Sequence, residues 1–159
     1  MSEPVFVTKR GHDLLHDRLK HLKEVDRPAN VRDIEEARAH GDLKENAEYH
    51  AAKERQAWIV HEIETVEDKL ARARVIDPSK LSGDKVVFGC HVTVLNVDTD
   101  DELVYQIVGE DEADIKGGLL NYRSPLARAL IGKEEGDEVL FNAPGGERNY
   151  EIVEVDFPG

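Results

Sequence analysis

The chain has 159 residues, room for one ordinary domain or two small ones, and its single cysteine, Cys90, excludes a disulfide framework and a cysteine-based zinc site. Charged residues make up 35 % and hydrophobic residues 40 %, a folding composition rather than a disordered one. The net charge of −13 argues against a broad basic face for bare duplex nucleic acid.

Met1 to Val7 contain no basic stretch followed by an apolar run, and no later segment is long and apolar enough to span a bilayer. The expectation is a cytoplasmic protein with no membrane partner. The charge is unevenly spread. Up to Ser79 there are 14 basic and 17 acidic residues, a net −3; from Lys80 onward there are 7 and 17, a net −10. The acidic half would be repelled by a phosphate backbone, whereas the near-neutral half tolerates one.

In chain order, the first half reads as two long helices. Thr8 is placed to cap the first. Leu15, Leu19 and Leu22, then Val25 or Asp26, alternate by three and four like a coiled-coil seam. Pro28 falls inside this run. A proline in a helix interior costs about 3 kcal/mol, so a bend or break is expected near Arg27 and Pro28. Val31, Ile34 and Ala37 resume the periodicity, and Ala39-His40-Gly41-Asp42 is turn-like. Ala52, Ile59, Ile63, Val66, Leu70 and Ala73 then follow a heptad register, with Pro78 just beyond. The economical fold is an antiparallel coiled-coil hairpin over residues 1–79 with its tip at Gly41. Helices of about 27 residues, at a rise of 1.5 Å each, reach roughly 40 Å.

A two-helix hairpin buries too little surface to stand alone, and residues 80–159 supply a second domain. Val86-Val87-Phe88 and Val92 to Leu95 read as strands, Asp98 to Asp101 as a turn, and Leu103 to Val108 as the return strand. Ser124-Pro125 opens a short helix through Leu130, serine as cap and proline at the first position. Glu138 to Phe141 and Tyr150 to Val155 read as a hairpin around Pro144-Gly145-Gly146. This is a small antiparallel α+β domain, joined to the hairpin through Val75 to Gly83.

The chemistry-bearing feature is Gly41-Asp42-Leu43-Lys44-Glu45. In a helical turn, Asp42 and Glu45 at i and i+3 point to one side, where two carboxylates repel unless a cation lies between them. Mg²⁺ is commonly held by one or two carboxylates plus water and phosphate. The same pattern is also a capping box, with Asp42 as N-cap and Glu45 reaching back. The two readings are compatible, and the tip location is what raises the first.

The stretch His40-Gly41-Asp42-Leu43-Lys44-Glu45-Asn46-Ala47-Glu48-Tyr49-His50-Ala51-Ala52 closely resembles the tip of the bacterial Gre transcript cleavage factors, the GreA branch in particular. The resemblance continues through Ala73 to Asp77, Val108 to Asp114 and Ser124 to Lys133, in order and over essentially the whole chain. It implies a transcription elongation factor that inserts its hairpin through the secondary channel of a backtracked RNA polymerase. There Asp42 and Glu45, matching the family's tip acids, help the polymerase hold a second Mg²⁺. The polymerase then cleaves its own nascent RNA and elongation restarts. The resemblance implies no cofactor of the factor's own, no enzyme activity alone, and a monomer. It further implies that Arg38 and Lys53, with Arg55 as a possible addition, contact the RNA 3′ segment, and that Ser124 and Pro125 belong to the surface docking on the polymerase rim. The bland alternatives are solvated charges for the three basic residues and a helix cap for Ser124-Pro125. The resemblance also implies an FKBP-like fold for the C-terminal domain.

Other candidates are weaker. His12 and His16 have i, i+4 spacing but no third ligand in view. Asp98-Thr99-Asp100-Asp101-Glu102 lacks the glycine and terminal glutamate spacing of a calcium loop. Cys90 reads as core, and Trp58 as packing beside the seam. Two rival functions remain: a prolyl isomerase with a helical arm, disfavoured because the acidic domain has no tryptophan, and an inhibitory module that plugs the channel without assisting cleavage. Asp42 and Glu45 at the motif positions favour an activator. A channel-binding class built on a four-cysteine zinc site is excluded by the single cysteine.

Overall fold

The computed structural model describes residues 3–157. Met1, Ser2, Pro158 and Gly159, which the expected bounds 1–79 and 80–159 include, lie outside the described residues. Two compact units form. One holds Asp13–Arg72; the other holds Glu3–His12 together with the chain from Ala73 onward.

The helical unit runs through α1 (Lys9–His21), a π-helical turn (Leu22–Asp26), α2 (Arg27–Ala39) and α3 (Ala47–Arg72). The seam of the hairpin buries Leu15, Leu22, Ile34 and Ala37 against Ala52, Ile59, Ile63 and Val66. The break expected at Pro28 is instead the π turn just before it, where the Arg27 amide donates to the Leu22 carbonyl, an i to i+5 bond. Proline lacks an amide and crowds the carbonyl four residues back, and the wider turn relieves both problems without ending the helix. One residue is thereby inserted. Leu15 to Leu22 is a step of seven, but Leu22 to the next seam position is a step of eight, to Asn30. The periodicity therefore resumes at Asn30, Ile34 and Ala37. Val31, expected in the seam, is 45 % exposed; of Val25 or Asp26, the pair expected after Leu22, Val25 is 50 % exposed and Asp26 is half-buried. Asn30 is buried and its side-chain amide donates to the Ala52 carbonyl at 2.9 Å, so this buried polar seam position is satisfied across the hairpin. Trp58, adjacent to Ile59 and about 100° around α3 from it, points outward at 42 % exposure with the Arg55 guanidinium 4.5 Å from its ring centre. It does not pack beside the seam.

In the second unit, β1 (Val5–Thr8) pairs in parallel with β2 (Ala73–Ile76). The heptad register read through Ala73 thus ends one residue earlier. The main sheet has the order β5-β4-β3-β7-β6, from β3 (His91–Asn96), β4 (Glu102–Val108), β5 (Leu119–Asn121), β6 (Glu138–Ala143) and β7 (Gly146–Asp156). It is antiparallel throughout except for β5, a short strand parallel to β4. Alternation in β3 buries Val92 and Val94, which pack with Ile107, Val139, Tyr150, Ile152 and the face of α4 (Pro125–Leu130) that carries Leu126, Ala127 and Leu130. Val86-Val87-Phe88, expected as a strand, is irregular. Val86 is fully buried and bonded to Lys133 and Gly132 rather than to a ladder, because an apolar run reports burial and not strand pairing.

Thr8 does cap α1: its hydroxyl accepts from the Gly11 amide at 3.1 Å. The same hydroxyl donates to the buried Glu112 carboxylate, which Arg10 approaches to 3.9 Å. Gly109, beside this junction, has no room for a side chain, since a Cβ there would sit 2.7 Å from the Phe6 carbonyl oxygen.

Candidate functional site at the hairpin tip

Helix α2 ends at Ala39, and Gly41 follows at φ +77°, the left-handed conformation that terminates helices. Asp42 continues with φ +38°, a region that aspartate tolerates better than most residues. Asp42 to Glu45 then form a β-turn, closed by the Glu45 amide donating to the Asp42 carbonyl at 3.2 Å. Helix α3 starts only at Ala47.

The tip therefore differs from a capping box. Asp42 is not the N-cap and the acid pair does not lie in a helical turn. The cap is Asn46, whose side-chain oxygen accepts from the Tyr49 amide at 3.0 Å. An acidic residue four places before the true cap carries the same local signal in sequence. The glycine's left-handed turn takes up the difference. Asp42 and Glu45 are both exposed, together with Leu43 and Lys44 between them. Their side chains stand at the two ends of one four-residue turn, and neither caps a helix.

Two carboxylates cannot complete a hexacoordinate ion alone. Among the described residues no group of three or more His, Cys, Asp or Glu side chains is placed to hold a metal. His12 and His16 accordingly belong to no such group.

The expected basic residues line the helices that carry the tip. Arg38 lies in the last turn of α2 with its guanidinium 5.9 Å from the Tyr49 ring centre. Lys53 donates to Gln56 at 2.7 Å, and Arg55 lies 3.9 Å from Asp26 besides covering Trp58. All three are exposed. An open groove of about 440 Å³ runs between α2 and α3 below the turn, lined by Asn30, Glu36, His40, Glu48 and Arg55 among others. His40 and Glu48 meet across it at 3.1 Å.

In the other unit, Ser124 caps α4 by accepting from the Ala127 amide at 3.3 Å, and Pro125 takes the first helical position. The Asp98 to Glu102 segment is a hairpin turn organised by Asn96, whose side chain accepts from the Asp98 and Thr99 amides. Cys90 is fully buried in the sheet core, and burial pushes its thiol above the ordinary range.

Residues 5–75 match the family described as transcription elongation factor, N-terminal, and residues 81–157 match transcription elongation factor GreA/GreB, C-term. The chain is 57 % identical over 155 residues to transcription elongation factor GreA of Phenylobacterium zucineum, covering 98 % of this chain and 99 % of that one. It is 58 % identical over 153 residues to GreA of Hyphomonas neptunium, covering 96 % and 98 %. Among solved structures, GreA factor homolog 1 of Thermus thermophilus is 26 % identical with a TM-score of 0.44, covering 96 % of this chain and 99 % of that one. With both halves matched and more than half the residues shared with full-length relatives, the chain belongs to the GreA/GreB family of transcription elongation factors.

Proposed function

We propose that this elongation factor rescues arrested RNA polymerase by bringing Asp42 and Glu45 to the polymerase active site through its secondary channel. There it stimulates the enzyme's own cleavage of backtracked nascent RNA. The observation that carries the reading is the exposed Asp42–Glu45 turn at the end of a helical hairpin, released from any capping duty. Helix α3 alone, with 26 residues, is about 40 Å long, a reach suited to a deep channel.

Asp42 and Glu45 supply two anionic oxygen donors on one turn, too few for a site of their own and suited to completing one that the polymerase begins. When bound, Mg²⁺ shared in this way activates water and stabilises the charge developing on the phosphate. The factor thus has no cofactor of its own and is not an enzyme alone. Arg38, Lys53 and Arg55 neutralise phosphates of the extruded RNA, a positioning role with no sequence preference. Ser124 and Pro125 open the helix through which the strand-rich unit docks on the channel rim. The factor works as a monomer in the cytoplasm, where its polymerase is.

The full-length chain added to stalled, backtracked elongation complexes should yield shortened transcripts that can be extended again. Transcripts of unchanged length would overturn the reading. Incubated with RNA and Mg²⁺ but no polymerase, the chain should leave the RNA intact. Metal-dependent cleavage that survives repurification would overturn the accessory role.

A further inference from the structure

We infer that Asn46 is a positioning residue for the carboxylate pair, holding the Asp42–Glu45 turn in its cleavage-competent shape. The inference rests on the function proposed above. One planar amide group touches both helices and the turn between them. Its oxygen accepts from the Tyr49 amide at the start of α3 at 3.0 Å. Its nitrogen donates to the Ala37 carbonyl near the end of α2 at 2.6 Å and to the Gly41 carbonyl at 3.3 Å.

Asn46 thus satisfies an amide that the start of α3 leaves unpaired and adds a second donor to the Ala37 carbonyl, which also accepts from the His40 amide at 3.2 Å. The loop between these anchors is the segment bearing both acids. His50 adds a second tie, its ring nitrogen 3.1 Å from the Lys44 carbonyl. A pure N-cap needs an acceptor, which Ser, Thr and Asp also provide. The donor half of asparagine is a separate asset that those residues lack at this reach. Exposed carboxylates on an untethered loop would sample many geometries, whereas metal-binding carboxylates act best when oriented by neighbouring groups.

The test uses the full-length chain with Asn46→Ser, which keeps a capping oxygen and loses both donor contacts. In the free protein, hydrogen exchange at the Glu45 amide should rise while the amides of α3 keep their protection. With backtracked complexes, the factor concentration giving half-maximal cleavage should stay near the parental one. The rate at saturating factor should fall about tenfold or more, the usual scale for losing a group that orients a metal-binding side chain, and should recover partly at raised Mg²⁺. If Asn46→Ser unfolds α3, Asn46→Asp provides the stronger cap and the same loss of donors, and the same rate loss is expected. Asp42→Asn is run in parallel. If it abolishes stimulation while Asn46→Ser cleaves at the parental saturated rate, the positioning role is wrong and the proposed function stands. If Asp42→Asn also cleaves at the parental rate, both are wrong.

Discussion

Because Asn46 and not Asp42 caps α3, neutralising the tip acids removes no helix contact. Asp42→Asn keeps a residue suited to φ +38°, and Glu45→Gln changes an exposed side chain, so each should alter stability by no more than about 0.5 kcal/mol. Stimulated cleavage at saturating factor should nonetheless collapse, with binding retained. Thermal unfolding, polymerase binding and transcript length measured on the same preparations check this. Near-parental cleavage by both variants would leave the tip acids without a role. Cys90 offers a residue-scale test of the core. Its thiol is fully buried and sits above its ordinary value of 9.0, so the native chain at pH 8 should resist a thiol reagent that labels it fully in denaturant. The raised value favours the protonated thiol in the folded state. The corresponding stability is complete below the ordinary thiol range and is lost as pH rises through the folded value. Between pH 7 and pH 10 the parental chain should therefore lose more unfolding free energy than Cys90→Ala, as measured by urea titration.

At the scale of elements, the π turn makes a sharp prediction. Deleting the exposed Val25 removes the inserted residue and would bring the seam step from Leu22 to Asn30 back to seven. The cost is a proline in regular α-helix, about 3 kcal/mol, so the single deletion should be clearly destabilising. Adding Pro28→Ala to the deletion should recover most of the loss, because seam register and backbone hydrogen bonds then agree. Thermal unfolding followed by circular dichroism separates the two. Equal stability of the deletion with and without Pro28 would mean that the π turn is not a response to proline. Deleting Val31 instead, with Pro28 and its π turn kept, would rotate Ile34 and Ala37 about 100° off the seam and should destabilise the hairpin further.

For the whole molecule, the strand-rich unit contains all five strands of the main sheet, α4 and the buried cluster from Val86 to Val155 within the residues after Lys80. A fragment starting at Lys80 should therefore fold alone. It lacks β1, β2 and the Thr8 hydroxyl bonded to Glu112, so it should be less stable than the same residues in the intact chain. It should compete with the full-length factor for polymerase without stimulating cleavage. A folded fragment that does not compete would remove docking from this unit. High salt should weaken any steering by the acidic half, since exposed charges more than about 8 Å apart are screened at physiological ionic strength.

The amino-acid sequence by itself determined the helical hairpin, the strands read over Val92 to Leu95 and Leu103 to Val108, the hairpin read over Glu138 to Phe141 and Tyr150 to Val155, the Ser124-Pro125 helix start and the place of the two acids. Each of these is written in local periodicity or in a cap and turn residue, which need no distant partner. Family membership was legible for the same reason, in the contiguous tip motif from His40 to Ala52. What the tertiary structure alone decided involves partners far apart in the chain. β1 and β2 are four-residue strands joined across more than sixty positions, and β5 has three residues and a parallel neighbour, too short for any pattern to register. Asn30 replaces Val31 in the seam because a π turn shifts register, and neither residue type announces that shift. The tip shows the same division. Its acids were visible as residues, but the cap went to Asn46 because the left-handed turn at Gly41 and Asp42 delays the helix and brings that amide within reach of Ala37.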